Sequence, residues 1–207
     1  MKRAVYSVIA ALAAVVSLSA QETSHFAFQV GAGFTEPIGR TAFYTDVGYN
    51  TSTGFGYNFN SYFGAMIDLN VNSVGVNSTT LNNIGLPGGN VNVFSATLDP
   101  IVHLLPHSKV DVYFTGGGGE YRREQIFVAP LYPAASTNNG ASYFGIAPGG
   151  PISSSSSVNK PGVDVGMGIA VASKWHGKFY AELKYNKIFL GGPYHMDYEP
   201  ITFGYRW

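Results

Sequence analysis

The last seven residues, Ile201-Thr202-Phe203-Gly204-Tyr205-Arg206-Trp207, constrain the fold more than any other stretch. Phe203, Tyr205 and Trp207 take every second position, and Thr202, Gly204 and Arg206 fill the others. Successive side chains of a β-strand point to opposite faces, so one face here is wholly aromatic and the other small or charged. Chain ends fray in water, where three large rings would gain little. At a bilayer the pattern is useful, because apolar side chains meet lipid and polar ones meet a lumen.

The same period-two alternation recurs along the chain, with almost no helical periodicity. A first strand spans Phe26 to Phe34, and a polar connection from Thr35 to about Val47 contains Pro37 and Gly39. A second spans Tyr49 to Phe59, and a third Tyr62 to about Val76. In the third, Phe63, Ala65, Ile67, Leu69 and Val71 are odd while Val74 and Val76 are even, which predicts a bulge near Ser73. An Asn- and Gly-rich loop covers Asn77 to Gly89. The fourth strand, Val91 to Leu104, carries Pro100, which cannot donate to a ladder. The fifth runs from Val110 to about Phe127, interrupted by Gly116-Gly117-Gly118-Gly119. The longest connection, Val128 to Asn159, holds four prolines and the serine run Ser153 to Ser157, and reads as an exposed loop. The sixth and seventh strands are Pro161 to Ala172 and Phe179 to Leu190, and Gly191 to His195 leads into the eighth, about Met196 to Trp207.

Eight strands with connections alternating long and short predict an all-β fold: an eight-stranded antiparallel up-and-down transmembrane β-barrel. Tyr57, Phe59, Tyr62, Phe63, Trp175, Phe179 and Trp207 gather beside the short turns, where an interfacial aromatic girdle is expected. The 207 residues suit one domain. Charged residues are only 12% of the chain, about half the share of soluble domains. With no cysteine, disulfides and thiolate sites are excluded.

Met1 to about Ala20 reads as a secretory signal peptide: Lys2 and Arg3, an apolar run from Ala4 to Val16, then small residues. Cleavage after Ala20 would leave residues 21–207 as the barrel domain, and cleavage after Ser19 would keep Ala20 as well. Without Lys2 and Arg3, the 12 basic residues fall to 10 against 12 acidic, a net −2. That balance gives no basic footprint for nucleic acid.

The mature chain resembles the small eight-stranded outer-membrane barrels of the OmpA/OmpX and OmpW types. Val30-Gly31-Ala32-Gly33-Phe34, Gly54-Phe55-Gly56-Tyr57-Asn58-Phe59 and Thr202 to Trp207 carry the resemblance. The final stretch resembles the C-terminal strand that the barrel-assembly machinery reads. This implies Phe203, Tyr205 and Trp207 as an assembly signal. It also implies an outer-membrane location, contact with outer-membrane lipid and lipopolysaccharide, and a monomer. The implied role is structural or surface-interacting, through the external loops. Resemblance to the OmpW type implies the alternative, a small transport channel for apolar compounds. Some eight-stranded barrels modify lipid A, but the His-x-Ser pair of that family is absent, so no enzyme and no catalytic residue are expected.

The strand face opposite the lipid offers Asp68, Asp111, Glu120, Arg122, Asp164, Glu182, Lys184 and Arg206 as lumen charges. Side chains can fill an eight-stranded bore, and buried charges must pair. They predict an internal ion-pair network that plugs the lumen, with a narrow polar path as the other possibility. Arg206 is expected to pair with Glu182 or Asp164. Gly116 to Gly119 lacks the following helix that a phosphate cradle needs. His103 and His107 flank Pro106 with no thiol or nearby carboxylate to complete a metal site, and no metal or cofactor is expected.

Overall fold

The computed structural model describes residues 25–128, 155–192 and 194–207. The signal-peptide reading, most of the longest connection, and Ser153 and Ser154 lie outside the described residues. Eight strands carry the fold: β1 Phe26–Pro37, β2 Gly48–Asn58, β3 Phe63–Gly75, β4 Gly89–His103, β5 Val110–Phe127, β6 Ser155–Ala172, β7 Lys178–Gly191 and β8 Tyr194–Arg206. Each pairs antiparallel with its neighbour in sequence, and β1 pairs with β8 to close the barrel. At that seam Val30 lies opposite Tyr205 and Ala32 opposite Phe203. Closure leaves no raw edge around the ring.

Alternation sorts the side chains. Ile67, Leu69, Phe94, Leu98, Val165, Met167, Ile169 and Phe203 are exposed on the outer face. Asp68, Thr97, Asp99, Asp111, Tyr113, Tyr121, Asp164, Glu182 and Lys184 are buried within. Inward tyrosines lie across glycines of other strands. A Cβ at Gly168 would fall on the Tyr113 ring, and one at Gly162 would meet Tyr121 at 2.7 Å. Small residues on the inner face therefore make room for large ones beside them.

Several expectations give way. β1 continues to Pro37, and the connection after it holds a short helix, α1 Gly39–Ala42. There is no bulge at Ser73: β3 keeps one register with β2 up to it and with β4 through it. Val74 and Val76 are even because they face inward, 1% and 5% exposed, where the bore itself becomes apolar. The next connection contains a second helix, α2 Ser78–Ile84. The Asn77 side chain caps it by accepting from the Thr80 amide at 2.8 Å, and Gly85 ends it at φ 71°, a left-handed position suited to glycine.

β6 begins at Ser155, inside the stretch read as loop, because β5 pairs with it up to Ile126 opposite Ser155. Backbone pairing there outweighs the low strand preference of serine and asparagine. The connection from Gly191 to His195 is tight rather than long: β7 ends at Gly191 and β8 starts at Tyr194. Gly191 and Gly192 make the turn at φ 113° and 56°, conformations open to glycine. Pro100 sits on the outer face, exposed, and the β4–β5 register resumes unchanged beyond it.

Candidate functional site

The bore is built in three storeys. At the end of the long connections lies an apolar cluster of Val74, Val76, Ile84, Leu86, Val91, Val93, Tyr121, Phe127, Ile188, Met196 and Tyr198. Ile84 and Leu86 reach it because α2 folds inward, and Ile84 is fully buried. Burying one such side chain is worth about 1.5–3 kcal/mol.

The middle storey is ionic. The Lys184 ammonium lies 2.6 Å from Oδ2 of Asp68 and 2.6 Å from Oδ2 of Asp99. Glu182 Oε1 is 3.7 Å away and Asp164 Oδ1 is 4.0 Å away. The Gln29 amide donates to Asp68 Oδ1 at 2.7 Å and accepts from Arg206 Nη2 at 2.7 Å and Nε at 3.1 Å. The Arg206 guanidinium also stacks over the Tyr113 ring, 4.5 Å from its centroid. Tyr113 donates to Glu182 Oε2 at 2.8 Å, and Tyr121 donates to Asp164 Oδ2 and Asn186 Oδ1, both at 3.2 Å. These contacts join β1, β3, β4, β5, β6, β7 and β8 across the interior. A charge removed from water needs such company, since an unpaired buried ion costs several kcal/mol.

The third storey is open. A cavity of about 790 Å³ lies at the end of the chain termini, lined by Met66, Ile101, His103, Lys178 and Arg206 among others. His103 Nδ1 lies 2.6 Å from Oδ2 of the fully buried Asp111, and Lys178 lies 3.5 Å from the same oxygen. His103 therefore has the carboxylate partner its sequence neighbourhood lacks. Among the described residues no group of His, Asp and Glu side chains is arranged to hold a metal ion.

Of the eight charges assigned to the lumen, the structure places Asp68, Asp111, Asp164, Glu182, Lys184 and Arg206 inside. Glu120 and Arg122 stand exposed on the outer face, and Arg122 donates to Ser157 Oγ at 3.4 Å. The period-two phase runs unbroken through Gly116 to Gly119, so Glu120 and Arg122 share the outward parity of Phe114. Arg206 reaches Glu182 Oε2 only at 3.9 Å, and its nearer partner is Gln29. Sequence reasoning missed Asp99, though its parity opposite the outward Leu98 was readable. It also missed Gln29, whose inward phase carries no charge to draw notice. Phe203 is exposed on the outer face, and the Tyr205 ring packs edge-on against Trp207 and Phe179, with centroids 4.9 and 5.0 Å away.

The family model of the outer membrane protein beta-barrel domain matches residues 8–207. The chain belongs to this family. This outer-membrane barrel crosses the bilayer with strands, and its exposed aliphatic and aromatic face is the lipid-facing one. Its short turns and termini are then periplasmic and its long connections external. Among solved structures it is similar to Neisserial surface protein A, at 15% identity and TM-score 0.58, over 88% of this chain and 96% of that one. It is also similar to the Ail attachment invasion locus protein of Yersinia pestis, at 15% identity and TM-score 0.46, over 89% and 100%. The outer membrane protein OprG of Pseudomonas aeruginosa aligns at 15% identity and TM-score 0.46, over 89% and 97%. No curated protein matches the chain.

Proposed function

We propose that this outer-membrane barrel is a surface-interaction protein that works through its external end, with a bore filled by side chains and no catalytic role. The signal segment 1–20 directs export, the aromatics of β8 guide assembly by the barrel machinery, and the protein acts as a monomer in a lipid and lipopolysaccharide surround.

The observation that carries this reading is the reach of β5 and β6. Each has 18 residues. About 9–11 residues of a tilted strand cross a bilayer. The β6–β7 ladder stops at Gly162 opposite Ile188, while the β5–β6 ladder continues to Ser155. Above Gly162, residues 156–161 of β6 are not paired with β7 among the described residues, although β7 itself runs on to Gly191. An exposed hairpin with one open edge offers a partner both side chains and main-chain hydrogen bonds.

The test compares vesicles carrying the full chain with vesicles carrying a chain whose β5–β6 hairpin is shortened by joining Tyr121 to Lys160. Both are passed over a panel of immobilised proteins and polysaccharides. The full chain is expected to be retained by at least one member that releases the shortened chain. Equal retention on every member overturns the reading.

The periplasmic cavity of about 790 Å³ favours a second reading, transport of a small apolar compound. Its floor includes Met66 and Ile101, and steady conductance or uptake by the intact barrel would establish it.

A further inference from the structure

Charge is distributed unevenly along this barrel. The periplasmic turns carry Lys109 and Lys174, both exposed, and Lys178 and four histidines, His25, His103, His107 and His176, stand at the same end. Among the described residues, the one carboxylate side chain there is Asp111, which is fully buried and already engages His103 and Lys178. The external half holds Glu36, Asp46, Glu120, Glu124, Asp197 and Glu199 beside its basic residues. The two lysine-bearing turns adjoin: the Ala172 amide donates to the Lys109 carbonyl at 2.9 Å, two residues before Lys174.

Large exposed apolar side chains share this rim. Trp175 is 75% exposed, and Leu104, Leu105, Tyr62 and Phe179 are each about half exposed. Tyr62 packs edge-on against His107, with ring centroids 5.9 Å apart. Ring and aliphatic groups sit at the boundary of the acyl chains, and the flexible lysine stems carry their ammonium groups outward to the headgroups. Among the described residues no exposed side-chain carboxylate stands beside those ammonium groups, which leaves them open to an anionic group from outside the protein.

We propose that the Lys109–Lys174 rim, with Trp175 as its anchor, binds the phosphate of an anionic phospholipid in the periplasmic leaflet. Lys109 and Lys174 supply the cationic contacts, while Trp175, Leu104 and Leu105 hold the acyl boundary. In the opposite half, Arg40, Arg122, Arg123, Lys160 and Lys187 stand among six carboxylates, so charge there is close to balance and the uncompensated lysines lie at this rim.

Both tryptophans of the chain, Trp175 and Trp207, lie at this end, so quenching of their fluorescence reports on the lipid beside the rim. The full-length mature protein is reconstituted into phosphatidylcholine vesicles containing brominated phosphatidylglycerol or, at equal mole fraction, brominated phosphatidylcholine. At about 1 kcal/mol per lysine near an anionic surface, two lysines give up to about thirty-fold preference for the anionic lipid. The wild type is expected to show that preference and to lose most of it in about 1 M salt, where the Debye length shrinks to about 3 Å. K109Q/K174Q should quench equally with both lipids, while R122Q/K187Q, altered at the external end, keeps the preference. Equal quenching in the wild type, or a preference that survives both salt and K109Q/K174Q, overturns the proposal. If the double variant fails to insert, K109Q and K174Q are read singly, and the wild-type salt response still decides. Loss of the preference on adding soluble glycerol 3-phosphate would also overturn it, by making the rim a site for free anions.

Discussion

Lys184 is the residue on which the interior depends most. Two carboxylates lie at 2.6 Å and two more within 4.0 Å, and all of them are buried. Removing one member of a buried ion group leaves the others uncompensated and costs about 3–5 kcal/mol. Lys184→Met is therefore expected to lower unfolding stability by that amount, measured by urea unfolding in lipid vesicles. Arg122→Gln, on the outer face, should shift the same curve by less than about 0.5 kcal/mol. Similar losses in both would mean that the inner and outer faces have been assigned wrongly. The two residues also show how far a sequence reading reaches. Lys184 falls in a clean alternation, Leu183 out and Tyr185 out, so its inward position was legible. Arg122 follows four glycines that carry no side chain to mark phase, and its charge suggested a lumen that its parity denies. Which carboxylates surround Lys184 was not legible, because Asp68 and Asp99 come from strands across the barrel, and only the stagger of a closed sheet brings them level.

At the scale of elements, the strands were legible where lipid faces them and less so where they leave it. Their lipid side must be apolar at every second residue, and that repeat is visible in β3, β6 and β8. Outside the bilayer the requirement lapses. The start of β6 reads as a serine loop although β5 holds it in register, and the two short helices are too brief to show a helical period. The inward valines of β3 mimicked a bulge because the bore changes from polar to apolar along its length. β8 carries the prediction proper to this scale. Replacing Phe203, Tyr205 and Trp207 together with Ser removes its outward rings, including the pairing of Tyr205 with Phe179 and Trp207. Replacing Ser155, Ser156 and Ser157 with Ala changes only the external rim. The first variant should insert into membranes several-fold less well than the second, scored as the fraction whose gel mobility changes on boiling. Equal insertion would remove the assembly role from β8.

The whole molecule is a ring whose interior is occupied differently at each level. The apolar cluster, the ion network and the periplasmic cavity succeed one another along the axis. Held in a planar bilayer, the intact chain should show no steady conductance to potassium or chloride. Regular single-channel steps would instead support transport. The alternation of faces announced the ring, but not this layering, because an inward position is defined only by not meeting lipid. The seam has a consequence for when the ring can exist. Seven of the eight ladders join neighbours in sequence, whereas Gln29 and Arg206 meet across 177 positions. A chain still crossing the inner membrane has no guanidinium to offer Gln29, and two unsealed strands at its flanks. The same side chains that steady the finished barrel thus record that the last strand has arrived, and a precursor halted early has neither its seal nor its charge balance.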